Sequence, residues 1–69
     1  MQFLSETILA IVPRRPGISD PELAFAIYGL RTQQLVNSEC NFLTRRGRLV
    51  RRVRPDGVIG NYPTETAPS

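Results

Sequence analysis

Arginine is the residue type best placed to do chemistry in this sequence. All nine basic residues are Arg, and six of them, Arg45, Arg46, Arg48, Arg51, Arg52 and Arg54, fall in one short run. A guanidinium donates in planar pairs to phosphate, carboxylate or guanine. Residues Met1 to Thr44 set three arginines against four acids, the run from Arg45 to Arg54 has no acid at all, and the remainder adds two acids. A near-neutral body with one basic segment has the charge asymmetry of a protein that meets an anionic partner on one face. The use of Arg in place of Lys also follows from a GC-rich genome and carries little weight alone.

A second group precedes the run. Gln34, Asn37, Ser38 and Asn41 offer amides and a hydroxyl of the kind that hydrogen-bond to base edges. The other candidates for chemistry point elsewhere. Asp20 and Glu22 are a carboxylate pair by spacing, yet both stand where a helix begins, and capping accounts for them. Cys40 is the only cysteine and the chain has no His, so it reads as a small buried hydrophobe and not as a nucleophile or redox group. The missing His also removes the usual general base, metal ligand and pH switch, and one Cys permits no internal disulfide. There is no Gly-rich phosphate loop, metal-ligand spacing or catalytic triad. No catalytic residue, metal or cofactor is expected, and the residues point to binding, not to an enzyme.

The elements that must position these residues can be read from apolar spacing. With 69 residues there is room for one domain, whose modest buried fraction makes each large apolar residue matter. Phe3 to Val12 has the spacing of a helix, with Leu4, Ile8 and Ile11 on one side and Pro13 to stop it. This apolar start is too short to span a bilayer and lacks the features of a signal peptide, so a cytoplasmic, nucleoid-associated protein with no membrane partner is expected. Ile18, between Gly17 and Ser19, fits a short bridging strand or a core plug. A second, short helix begins within a residue of Asp20, signalled both by Ser19-x-x-Glu22 and by Asp20-Pro21. Leu23, Ala24 and Ile27 form its inner face, Phe25 is expected in the core, and Gly29 ends it.

A third helix is predicted from about Thr32 to Arg46, closed by Gly47. At about 100° per residue, Val36, Cys40 and Leu43 make its core stripe, with Leu35 and Phe42 on one flank. Gln34, Asn37, Ser38, Asn41 and Arg45 cluster on the opposite side, which carries no acid. Leu35, Tyr28 and Phe42 are expected to be partly exposed. After Gly47 the period changes, and Leu49–Arg54 and Val58–Tyr62 read as two strands around Pro55-Asp56-Gly57. Leu49 and Val53 are expected on the buried face of that hairpin, with Tyr62 closing it on the body. Residues 63–69 read as a disordered polar tail.

The order helix, short extended piece, short helix, longer helix, hairpin resembles the winged helix-turn-helix DNA-binding family of bacterial regulators. The resemblance covers about Leu4 to Tyr62. It is carried by the run Leu43-Thr44-Arg45-Arg46-Gly47-Arg48-Leu49-Val50-Arg51-Arg52 and by Pro16-Gly17-Ile18-Ser19-Asp20-Pro21-Glu22-Leu23-Ala24, which resembles the entry to the family's second helix. Arg48 is an extra residue between Gly47 and Leu49 compared with the commonest spacing, and it bears on which wing arginines face outward. The resemblance implies an α+β, mainly α fold: three helices and a two-stranded wing over residues 1–62, with the third helix in the major groove of double-stranded DNA. Gln34, Asn37, Ser38, Asn41 and Arg45 are then the base-contact candidates. Arg14, Arg15, Arg31, Thr32, Arg46, Arg48, Arg51, Arg52 and Arg54 are the phosphate-contact candidates. A homodimer through the first helix or the Leu35 and Phe42 flank would enlarge the small interface one module offers. The alternative is a protein-interaction adaptor on the same scaffold.

Overall fold

The computed structural model describes residues 3–29 and 33–64, so the expectations placed on Arg31, Thr32 and all of the tail beyond Thr64 lie outside the described residues. Helix α1 runs Leu4–Ile11, and Thr7 donates its backbone N–H to the carbonyl of Phe3 at its start. The α-helix ends before Pro13, as expected, and the chain continues as a 3₁₀ turn, Val12–Arg14, with Pro13 in the first positions where a missing N–H costs little. Ile18–Ser19 then forms strand β1.

Helix α2, Asp20–Tyr28, starts on a complete capping box. The Ser19 backbone N–H donates to Glu22 Oε1 at 2.9 Å, and the Glu22 N–H donates to Ser19 Oγ at 3.3 Å. Ser19 is therefore the N-cap, and Asp20 already lies inside the helix. Phe25 is 59% exposed, contrary to expectation. Leu23, Ala24 and Ile27 define the inner side, and at about 100° per residue Phe25 points almost directly away from it.

Helix α3, Gln33–Arg45, buries Val36, Cys40 and Leu43 as the spacing predicts. It ends in a Schellman motif. Gly47, at φ +75°, donates to the Thr44 carbonyl, and Arg48 donates to the Leu43 carbonyl at 2.8 Å. The extra residue Arg48 is thus part of the helix cap, and strand β2, Leu49–Val53, begins with Leu49 only 2% exposed.

Strand β3, Ile59–Pro63, follows the Asp56-Gly57 turn. The sheet has three antiparallel strands in the order β1-β3-β2, one more than the expected two-stranded wing. The additional strand is β1, which pairs Ile18 with Asn61 and Ser19 with Gly60. Glycine at position 60 permits this approach, since a Cβ there would sit 2.6 Å from the Gly17 carbonyl oxygen and 3.0 Å from the Arg54 stem. Pro63 pairs with Leu49 and so belongs to the sheet rather than to a tail. Tyr62 closes the hairpin against the body, half-buried over Gly17.

The core combines Ile8, Val12, Ile18, Leu23, Ala24, Val36, Cys40, Leu43 and Leu49. It does not reach the hairpin tip. Val53 lies on the same strand face as Leu49, yet it is 69% exposed, and Val58 and Ile59 are exposed beside it. Alternation assigns the face, but burial needs something packed on it. The described residues therefore form a small α+β fold of three α-helices and a three-stranded antiparallel sheet.

Candidate nucleic-acid interface

Alternation along β2 divides the arginines. Leu49, Arg51 and Val53 share one face, while Val50 and Arg52 share the other. Arg51 points into the molecule and reaches Asp20 with both terminal nitrogens, at 3.1 Å to Oδ1 and 3.0 Å to Oδ2. Its Nη1 also donates to Asn61 Oδ1 at 3.1 Å. Asn61 in turn donates to Asp20 Oδ1 at 2.8 Å and to the Ile18 carbonyl at 3.0 Å. Asn37 completes the group, donating to Asp20 Oδ2 at 2.7 Å. One buried carboxylate therefore joins α2, α3, β2 and β3. Among the described residues no buried side-chain polar atom lacks a partner.

The electrostatics follow from these contacts. Burial pushes the Asp20 carboxyl up, but hydrogen bonds from Arg51, Asn61 and Asn37 and the Arg51 charge outweigh it and leave it below its ordinary value. Cys40 is fully buried, and burial, with the Asp20 charge beside it, pushes its thiol up to about 12. It is a neutral thiol at physiological pH.

Arg54 is committed as well. It donates to Glu22 Oε1 at 2.9 Å, to the Gly17 carbonyl at 2.8 Å, and through two nitrogens to Asp56, at 3.1 and 2.6 Å. Asp56 is held down at about 2 by these Arg54 hydrogen bonds and by the Val58 N–H. Glu22 is lowered by the Ser19 backbone N–H and then by Arg54. Arg51 and Arg54 thus spend their donors inside the domain, which the acid-free run around them did not reveal. Their partners lie far away in sequence or across the turn.

The other described arginines are exposed: Arg14 at the end of the 3₁₀ turn and Arg15 after it, Arg45 and Arg46 at the end of α3, Arg48 in its cap and Arg52 on the outer sheet face. Among the described residues none of these six has an acid partner in an ion pair. Arg46 stacks on the Phe42 ring, 5.6 Å from its centroid. Arg52 also borders a cleft of about 300 Å³ with Pro16, Val50 and Tyr62.

On α3, Gln34, Ser38, Asn41 and Arg45 are exposed, whereas Asn37 is half-buried with its amide turned to Asp20. Asn41 donates to Asn37 Oδ1 at 3.3 Å. Sequence reasoning assigned Asp20 to helix capping and overlooked its role as the hub. The signals were present: Ser19 and Glu22 already complete the cap, and an Asn at 61 in a strand is unusual unless its amide has a partner. Among the described residues there is no group of His, Cys, Asp and Glu fit to hold a metal, and no helix is long and apolar enough to cross a membrane. No protein-family model, curated protein or solved structure matches the chain.

Proposed function

We propose that this chain is a winged-helix domain that binds double-stranded DNA in a sequence-dependent manner, as a small transcriptional regulator. The observation that carries the proposal is the acid-free exposed side of α3, with Gln34, Ser38, Asn41 and Arg45, continuing into Arg46, Arg48 and Arg52, which form no ion pair among the described residues. An exposed helix face with amides and no carboxylate can approach base edges without repulsion, and the arginines beyond it suit the flanking phosphates. The element order, with β1 joined to the wing hairpin, supports the same reading. In this arrangement α3 enters the major groove. Arg45, Arg46, Arg48 and Arg52 meet phosphate, with Arg14 and Arg15 as outlying contacts, while Arg51 and Arg54 shape the domain.

The test is fluorescence anisotropy of a labelled random-sequence duplex titrated across salt concentrations. Four to six phosphate contacts correspond to a slope of log affinity against log salt of roughly −3.6 to −5.4. Absence of binding at low salt would remove the proposal. A second reading, a protein-interaction adaptor, is favoured by one feature, the exposed Val53, Val58 and Ile59 at a hairpin tip whose Arg54 is neutralised. Salt-insensitive association with a protein partner, with no duplex binding, would select it.

A further inference from the structure

We propose that a hydrogen-bond relay from buried Asp20 through Asn37 presets the amide of Asn41 to recognise adenine. Asn41 is then the specificity-determining residue of α3 and Asn37 a positioning residue. The inference rests on the duplex-binding reading above and deepens it.

The direction of the relay is dictated by chemistry. A carboxylate only accepts hydrogen bonds, so the amide of Asn37 must turn its NH₂ toward Asp20, and it does so at 2.7 Å. Its Oδ1 is thereby left to accept, and one helical turn later Asn41 Nδ2 donates to it at 3.3 Å. The inner end cannot swing, because Arg51 and Asn61 hold both carboxylate oxygens from the sheet. The outer end is exposed on the polar side of α3.

What Asn41 still offers a ligand is its Oδ1 acceptor and one remaining N–H. Adenine presents the complement in the major groove, an N6 donor beside the N7 acceptor. Guanine presents two acceptors, N7 and O6, which a freely turning asparagine can meet with its NH₂ group. The relay withholds that orientation, since turning the amide over would abandon Asn37 and set two carbonyl oxygens against each other. Selectivity for adenine over guanine therefore originates in a carboxylate buried beneath the helix.

The experiment selects sites from a random duplex pool with the full chain. Affinity for a selected site is then measured with each adenine replaced in turn by 7-deazaadenine, which lacks the N7 acceptor. At one position the unsubstituted protein should lose roughly five- to 150-fold in affinity, the range of one bidentate base contact. Asn41→Ala should bind both duplexes equally. Asn37→Ala, shown folded by a thermal melt, should lose much of the preference for adenine over guanine at that position, and the double variant should discriminate no more than Asn41→Ala alone. Unchanged affinity at every adenine, or an undiminished loss in Asn41→Ala, overturns the assignment while duplex binding itself still stands. An undiminished preference for adenine over guanine in folded Asn37→Ala overturns the relay. Should Asn37→Ala fail to fold, the exposed Asn41 and the base analogue decide the matter between them. Failure to bind any duplex is a separate result that overturns the functional reading, and the inference with it.

Discussion

Arg51 and Arg52 are neighbours in one strand with opposite fates. Arg51 reaches inward to Asp20 and Asn61, with its side chain 15% exposed, while Arg52 lies open on the outer face with no acid partner among the described residues. The same contrast separates the sheet's junction with α2 from the segment where α3 turns into β2. At the junction, Arg51 and Arg54 are consumed by Asp20, Glu22 and Asp56. In the turn segment, Arg45, Arg46 and Arg48 form no ion pair among the described residues. Charge written in a sequence is therefore not the charge offered to a partner. Inward arginines organise the fold, and only the others can attract an anion.

The contrast breaks most visibly at Asp20. Asp20→Ala leaves the Arg51 guanidinium largely buried without its carboxylate, and such losses cost about 3–5 kcal/mol. In a domain this small that is most of the stability available, so urea or thermal denaturation should show a chain close to unfolded. A loss below about 1 kcal/mol would mean that water or Asn61 satisfies Arg51 unaided.

Acid should dissolve the junction next. The ordinary carboxyl value for Asp20 is 3.8, and the fold lowers it. Its stabilising contribution is therefore complete above about pH 4 and is lost as the pH falls through the lower folded value. Asp56, lowered from 3.8 to about 2, follows the same sign but is solvent-exposed and contributes little. Urea midpoints should hold steady above pH 4.5, the ordinary value for Glu22, and decline below pH 4. Glu22→Gln should leave most of that decline in place, because Asp20 is intact. A decline that vanishes in this variant would place the acid sensitivity in Glu22 instead.

The smallest effect sharpens the comparison at the surface. Arg52→Ala should change stability by less than about 0.5 kcal/mol yet flatten the salt dependence of duplex binding by about 0.9. Arg51→Ala should behave in the reverse way, lowering stability while any residual folded protein keeps the original slope. Equal slope changes in the two variants would show that the division between inward and outward arginines does not govern binding.

Much of the fold was legible because local signals carried it. Apolar spacing marked Ile8, Val36, Cys40 and Leu43, the Ser19–Glu22 capping box set the start of α2, and Gly47 closed α3 within a residue of expectation. The errors have equally local causes. Phe25 was assigned by hydrophobicity where helical angle argued against it, and Val53 by strand alternation where no core extends to cover it. The third strand was half visible, since Ile18 read as a bridging strand, but its partner Asn61 lies 43 residues away. For the candidate interface, the exposed side of α3 followed from helical period. The inward turn of Asn37 did not, because Asp20, 17 residues earlier, draws it there.

By itself the sequence determined which residues form helices, where those helices begin and end, and that the charge gathers between Arg45 and Arg54. These depend on capping, turn chemistry and periodicity, all of which act over a few neighbours. Only the tertiary structure decided which arginines are spent, that β1 completes the sheet, and which way the amides of Asn37 and Asn41 face. The inward turns of Arg51 and Asn37 depend on a buried carboxylate in α2 meeting donors brought from three other elements, and no spacing along the chain encodes that meeting.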